Sequence, residues 1–255
     1  MASEKEAKKR RPWLLPAVGA VLLAAVTAFA GGMGSRLADS IGSDEPPLIS
    51  YSVELLEGRC RGGEFVPQPS LPAVLGSTTV QDWKALEGQP GAAQASINPV
   101  QVAIQGGTGR TITLTRIEFH VSRRQRPPGA HFQGACGDAF IGRSLEVDLD
   151  LHPPRVVDSN ATAEGALGAR KTNGQRPYSP IRFPWTVSVS DPLLLEIIAS
   201  TESCDCTWRA EILWVSGSSQ GTIVVDNGGA GYRVVGSEGL SSFVPSPYGW
   251  RRWRS

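Results

Sequence analysis

Methionine, histidine and lysine are scarce in this chain: 2 Met, 3 His and 5 Lys among 255 residues, against 20 Arg. The three histidines, at 120, 131 and 152, share no spacing that nominates a general base. No Gly-rich phosphate loop and no G-x-G-x-x-G turn is present, so neither common route to nucleotide binding is encoded. Charged residues make up 19% and apolar ones 40%, which excludes both a highly charged disordered chain and a multi-span membrane protein. Glycine and proline, 29 and 19, stay below the level of a low-complexity sequence. No internal repeat is visible. A chain of 27.1 kDa is long enough for one large domain or two small ones with a sizeable core.

The net charge of +1 hides an uneven distribution. Residues 1–11 carry five basic side chains against Glu4 and Glu6, and the last five residues carry Arg251, Arg252 and Arg254. Each end is therefore +3, which leaves −5 for the body between. An acidic body lacks the basic face of a nucleic-acid-binding domain, so no nucleic-acid partner is expected.

One uncharged run is long, from Pro12 to Ser35, 24 residues. A bilayer core of roughly 30 Å needs about 20 apolar residues in a helix, so a transmembrane helix is predicted over 12–34. Trp13 sits where an interfacial aromatic belongs, and the basic residues 1–11 predict a cytoplasmic N-terminus. The alternative is a cleaved signal peptide, since Ala28-Phe29-Ala30 fits the small-x-small cleavage pattern. Either way the body is exported, and residues 35–47 read as a polar tether. A cytoplasmic part of 11 residues is too short for a DNA-binding helix pair.

Export governs the reading of Cys60, Cys136, Cys204 and Cys206. An even set in an oxidising compartment predicts two disulfides. Three pairings are open. The small ring of a Cys204–Cys206 bridge argues for each of these reaching Cys60 or Cys136 instead. A zinc site of His131, Cys136, Cys204 and Cys206 is the functional alternative, although its spacing is not a usual one.

From residue 49 to 235 the apolar pattern has period two, the signature of half-buried strands. Ile49, Tyr51, Val53 and Leu55 share a face, as do Val100, Val102 and Ile104. In 111–121 the phase slips by one, which predicts a β-bulge near Thr115-Arg116. Leu145, Val147, Leu149 and Leu151 alternate with Glu146, Asp148, Asp150 and His152. Ile181, Phe183, Trp185, Val187 and Val189 make a stripe that Pro184 assigns to an edge or a bulge. Residues 193–198 are apolar on both parities except Glu196, as in a strand covered on both faces. Cys206, Trp208, Ala210, Ile212 and Trp214 share another face. Asp226-Asn227-Gly228-Gly229, between two short apolar runs, predicts a hairpin turn. Only residues 80–86 read as a short helix. These signals predict an all-β, antiparallel β-sandwich over 48–240, with a Trp/Arg-rich tail over 241–255. A split into two sandwiches, at 122–142 or 156–178, is the other possibility.

Candidate sites are few. Glu146, Asp148, Asp150 and His152 would stand in a row on one strand face, about 7 Å apart. That is too far for all four to hold one ion unless the strand bends; Asp148 and Asp150 suit a calcium or sugar site, and the whole row suits a solvated face opposite a buried one. As a glycosidase pair, Asp148 and Asp150 lack a cleft between them. Gly217-Ser218-Ser219-Gln220-Gly221 matches the serine-hydrolase elbow, but a strand follows where a helix is needed. Arg123, Arg124 and Arg126 form a basic loop fit for an anionic polymer or for water. Trp250, Arg251, Arg252 and Trp253 mix aromatic and cationic side chains, as at a membrane interface or an anionic glycan.

Val100-Gln101-Val102, residues 145–154 (LEVDLDLHPP), Ile181-Arg182-Phe183-Pro184-Trp185 and residues 204–214 (CDCTWRAEILW) give the chain a resemblance. It is similar to single-span proteins of high-GC Gram-positive bacteria that have no established function. The likeness spans 48–240, agrees with the Arg-over-Lys bias, and implies no catalytic residue. The expected protein is a membrane-tethered, extracytoplasmic, non-enzymatic binding module without a cofactor, its partner an envelope polymer or protein. The competing expectation is an envelope hydrolase or carbohydrate-active domain using Asp148, Asp150 and His152.

Overall fold

The computed structural model describes residues 48–56, 62–76, 83–107, 109–134, 143–157 and 179–253. The expected span at 12–34, Cys60 and Cys136 lie outside them. Among the described residues no helix is long and apolar enough to cross a membrane. In chain order the elements are β1 (Ile49–Leu55), β2 (Glu64–Pro67), α1 (Leu71–Leu75), α2 (Trp83–Glu87), β3 (Ala93–Ala95), β4 (Ile97–Gly106), β5 (Ile112–Arg124) and β6 (Gly129–Phe132). There follow β7 (Arg143–Asp148), β8 (Arg155–Val157), β9 (Ser179–Pro180), β10 (Trp185–Val187), β11 (Leu193–Ser200), β12 (Asp205–Ser216), β13 (Ser219–Val225), β14 (Tyr232–Val235), β15 (Ser241–Ser246) and β16 (Gly249–Arg252).

Two sheets hold these strands. The first has six, in the order β1-β4-β11-β7-β8, with β9 beside β7. The second has ten, in the order β10-β5-β12-β14-β3-β2-β6-β15-β16, with β13 on β12. Period-two alternation sends one parity of each strand inward. Val100, Val102, Ile104, Leu195 and Ile197 of the first sheet share a core with Ile112, Leu114, Trp208, Ala210 and Ile212 of the second, all buried. Burying each large aliphatic chain contributes roughly 1.5–3 kcal/mol, so this interlayer core dominates the stability. The sandwich expected from the pattern is present.

The sheets are mixed rather than antiparallel, which corrects that part of the expectation. β7 runs parallel to β11, β3 to β14, and β6 to β15. Period two reports which face is buried, and it is the same for parallel and antiparallel partners. β11 lies between β4 and β7 as its doubly apolar sequence requires. Glu196 on β11 is fully buried all the same, opposite Gln101 and Ser144.

The expected bulge is at Thr115: Leu213 pairs with Arg116, but the next residue, Trp214, pairs with Leu114. The expected Asn227-Gly228 hairpin is not formed. β13 pairs with residues 210–216 of β12 and β14 with residues 205–208, so the two follow one another along a single partner strand. Residues 226–231 make a detour between them, with Gly228 and Gly229 at φ +63° and +96°. The twelve residues of β12 are long enough to accept both strands, an outcome local turn chemistry does not report. The stripe around Pro184 supplies only the short edge strand β10, and Val189 is exposed.

The second sheet continues past the sandwich into a wing of β3, β2, β6, β15 and β16. α2 lays Trp83 and Leu86 onto Val66, Ala130 and Phe132 there, joined by Val74 of α1. α2 overlaps the expected helix, whereas α1, at five residues, is too short to show a helical period. Residues 241–252, assigned above to a tail, are strands of this wing. Glu64, on the same face of β2 as Val66, is only 4% exposed. Burial, and secondarily the Glu87 carboxylate, push its carboxyl up to about 8.

Candidate functional site

The row expected from Glu146 to His152 does not form. β7 ends at Asp148, whose Oδ1 accepts the Asp150 backbone N–H at 2.9 Å and turns the chain. Asp150 then reaches away from the strand. Its carboxylate accepts from Thr201 Oγ1 at 2.8 Å, Glu202 N at 2.7 Å, Ser203 Oγ at 2.7 Å and Ser203 N at 3.4 Å. Partial burial raises its pKa, but these hydrogen bonds outweigh that and leave it lowered. Asp150 therefore fastens the turn between β11 and β12, with both oxygens occupied. His152 is exposed, its Nδ1 3.5 Å from Arg123 Nη1. Asp148, Asp150 and His152 do not converge on a common point.

The same turn leads into the bridge between Cys204 and Cys206, which corrects the expectation that each would pair with a distant cysteine. Their Cα atoms are 5.4 Å apart, inside the range a disulfide spans. The zinc alternative loses two ligands to this bridge. His131 is engaged elsewhere: Nε2 donates to the Gly62 carbonyl, and Nδ1 lies 3.4 Å from Ser242 Oγ. Burial lowers the His131 pKa, and the hydrogen bond to Gly62 opposes that shift without overcoming it.

The basic residues near 123–126 serve the scaffold. Arg123 Nε donates to the Leu149 carbonyl at 2.7 Å and Nη2 to that of Leu151. Arg126 Nη1 donates to the Gly236 carbonyl at 3.0 Å. Arg124 approaches buried Asp205 at 3.5 Å, and Arg233 grips the same carboxylate with bonds of 2.8 and 3.1 Å. Arg123 and Arg124 are moreover part of β5 rather than a loop. Ser219 opens β13 after a tight turn in which Gly217 takes φ +58°, so no nucleophile elbow exists.

One cluster escaped the sequence reading. Glu118 and His120 stand two apart on β5, and register places Glu211 of β12 directly opposite Glu118. Their ligand-capable atoms lie within 4.8 Å of one another. His120 Nε2 is 3.5 Å from Glu211 Oε1. Arginines take up both carboxylates, Arg116 on Glu118 at 2.6 Å and Arg209 on Glu211 at 3.7 Å. The group is a cross-strand ion-pair ladder on the solvent side of the sheet. Glu118 and His120 were visible as an i, i+2 pair; Glu211 becomes their neighbour only through the β5–β12 register.

The aromatic and cationic C-terminal residues divide between two roles. Trp250 packs inward: its ring lies 5.3 Å from Trp83 and 4.9 Å from Phe132, both edge-on, while Phe132 stacks on Phe243 at 5.2 Å. Trp250, one of the residues expected to bind a ligand, is thus half-buried and anchors the hairpin to this cluster. Arg251, Arg252 and Trp253 are exposed, and Tyr248 at the hairpin tip is 94% exposed. Ser246 braces that tip, its Oγ donating to the Gly249 carbonyl at 2.8 Å. The Trp253 N–H continues the ladder onto Ser242 O at 2.7 Å. Among the described residues β16 is the last strand of its sheet.

Comparison with protein-family models, curated proteins and solved structures finds no match, so function rests on this chain's own residues.

Proposed function

We propose that this protein is a membrane-tethered, extracytoplasmic β-sandwich that works as a non-enzymatic binding module of the cell envelope. The observation that carries this reading is the C-terminal hairpin: Trp250 locks it onto an aromatic cluster while Tyr248, Arg251, Arg252 and Trp253 face solvent. A rigid base with exposed aromatic and cationic side chains is the composition of a contact surface. The uncharged run at 12–35 and its basic flank support the tether and the orientation. Resemblance to the single-span family points the same way. The hydrolase alternative has less support, because Asp150, one of its three candidates, has both oxygens committed to the 201–203 turn.

Fractionation of cells carrying the full chain tests the proposal, with protease added outside intact spheroplasts. The expected result is a membrane-pelleted protein whose C-terminal epitope is removed by external protease. Recovery in the cytosolic fraction, or full protection in the pellet, would refute it.

A further inference from the structure

We infer that the β15–β16 hairpin is a peripheral contact for an anionic phospholipid surface, and that it lays the domain against the bilayer. The choice of a bilayer rests on the tethered-module reading, whereas the surface stands on its own geometry.

Side chains two apart on a strand share a face. Arg251 and Trp253 therefore project together, on the face opposite Trp250 and beside Val244, the cross-strand partner of Arg251. Among the described residues no acidic side chain pairs with Arg251 or Arg252. Arg252 Nη2 donates to Ser241 Oγ at 3.0 Å. This differs from Arg116, Arg124, Arg209 and Arg233, each of which has a carboxylate within 3.7 Å. Residues 12–250 sum to −5, so Arg251 and Arg252 close an acidic body with cationic side chains that no carboxylate of the described residues neutralises.

Exposure adds the second half of the argument. A tyrosine 94% exposed at a braced tip, with an indole 52% exposed nearby, leaves aromatic surface in water that the fold makes no use of. Tyrosine and tryptophan settle at the headgroup level, apolar body inward and polar tip in water, and arginines beside them meet lipid phosphates bidentately. A free anion would use the arginines alone; a lipid surface uses the rings as well.

The test takes residues 32–255, the larger of the chain's two compact units, and mixes them with vesicles. Vesicles of phosphatidylglycerol and phosphatidylcholine are compared with pure phosphatidylcholine by co-sedimentation at low and high salt. The expected outcome is salt-sensitive binding to the anionic vesicles only. At a factor of about five per cation near such a surface, R251E/R252E lowers the partition coefficient by at least about 25-fold. Y248S/W253S weakens binding while leaving its salt sensitivity. R209E, on the ladder, serves as the control and leaves binding unchanged, with thermal melting to show that each variant folds. Equal binding to both vesicle types, no binding to either, or retention only on an anionic polysaccharide would overturn the inference. Failure here leaves spheroplast fractionation free to succeed, so the two readings fall separately.

Discussion

Replacing Glu64 with glutamine should remove a pH dependence of stability that the wing of the second sheet imposes. Glu64 is 4% exposed, on the face of β2 that α2 covers, and its carboxyl is pushed up to about 8 from 4.5. The folded state thus holds a proton that the unfolded chain has already released. Stability contributed by that proton is complete below 4.5, falls as pH rises through the window, and levels off above about 8. At roughly 1.4 kcal/mol per pH unit, wild type loses on the order of 3–5 kcal/mol across it. Glutamine is nearly the same shape and does not titrate, so E64Q loses none of this. Urea unfolding of residues 32–255 at pH 5 and pH 9 measures the difference. With an m-value of about 2 kcal/mol/M, the midpoint of E64Q relative to wild type should rise by roughly 2 M between the two conditions. E87Q should move the upper edge of the wild-type window downward, since Glu87 is the second cause of the shift. Parallel pH profiles for wild type and E64Q would refute the reasoning, because a carboxyl that ionises freely in the fold carries no such linkage.

Three further outcomes follow from the contacts. Asp150→Asn should destabilise by about 1–2 kcal/mol in chemical unfolding at pH 7, an exposed group's share of its charge-assisted bonds. Because the Asp150 pKa is lowered, that contribution exists above the unfolded value of 3.8 and disappears as pH falls through the folded one; a variant deficit that does not shrink as the solution is acidified from pH 7 would count against it. Asn98→Leu strands the indole N–H of buried Trp208, bonded to Asn98 Oδ1 at 2.9 Å, and should cost about 1–3 kcal/mol by the same assay. The Cys204–Cys206 bridge closes a minimal loop, so C204S/C206S should cost only about 1.5 kcal/mol; a loss above about 4 kcal/mol would mean another role for the bridge.

Much of the fold was legible because a strand's period is local. Faces, the Thr115 bulge and the central position of β11 follow from which parity is apolar, and each needs only a few consecutive residues. Partner choice is not local. The parallel pairing of β7 with β11 and the sharing of β12 by β13 and β14 arise from contacts between segments far apart in sequence. The candidate site divides on the same line. Arg251 and Trp253 were legible only as part of a stretch that mixes aromatic and cationic side chains. Trp250 looks no different in sequence, yet Trp83 and Phe132 claim it. Asp150 read as a free carboxylate because its four donors come from residues 201–203, brought to it by the parallel pairing that ends β7 beside the end of β11. The sequence alone therefore determined the sandwich class, the uncharged run at 12–35 and the concentration of cations at the two ends. Only the tertiary structure decided which polar groups are spent on the scaffold and which remain for a partner, because satisfying a buried or turn-bound polar atom depends on the neighbours that packing supplies.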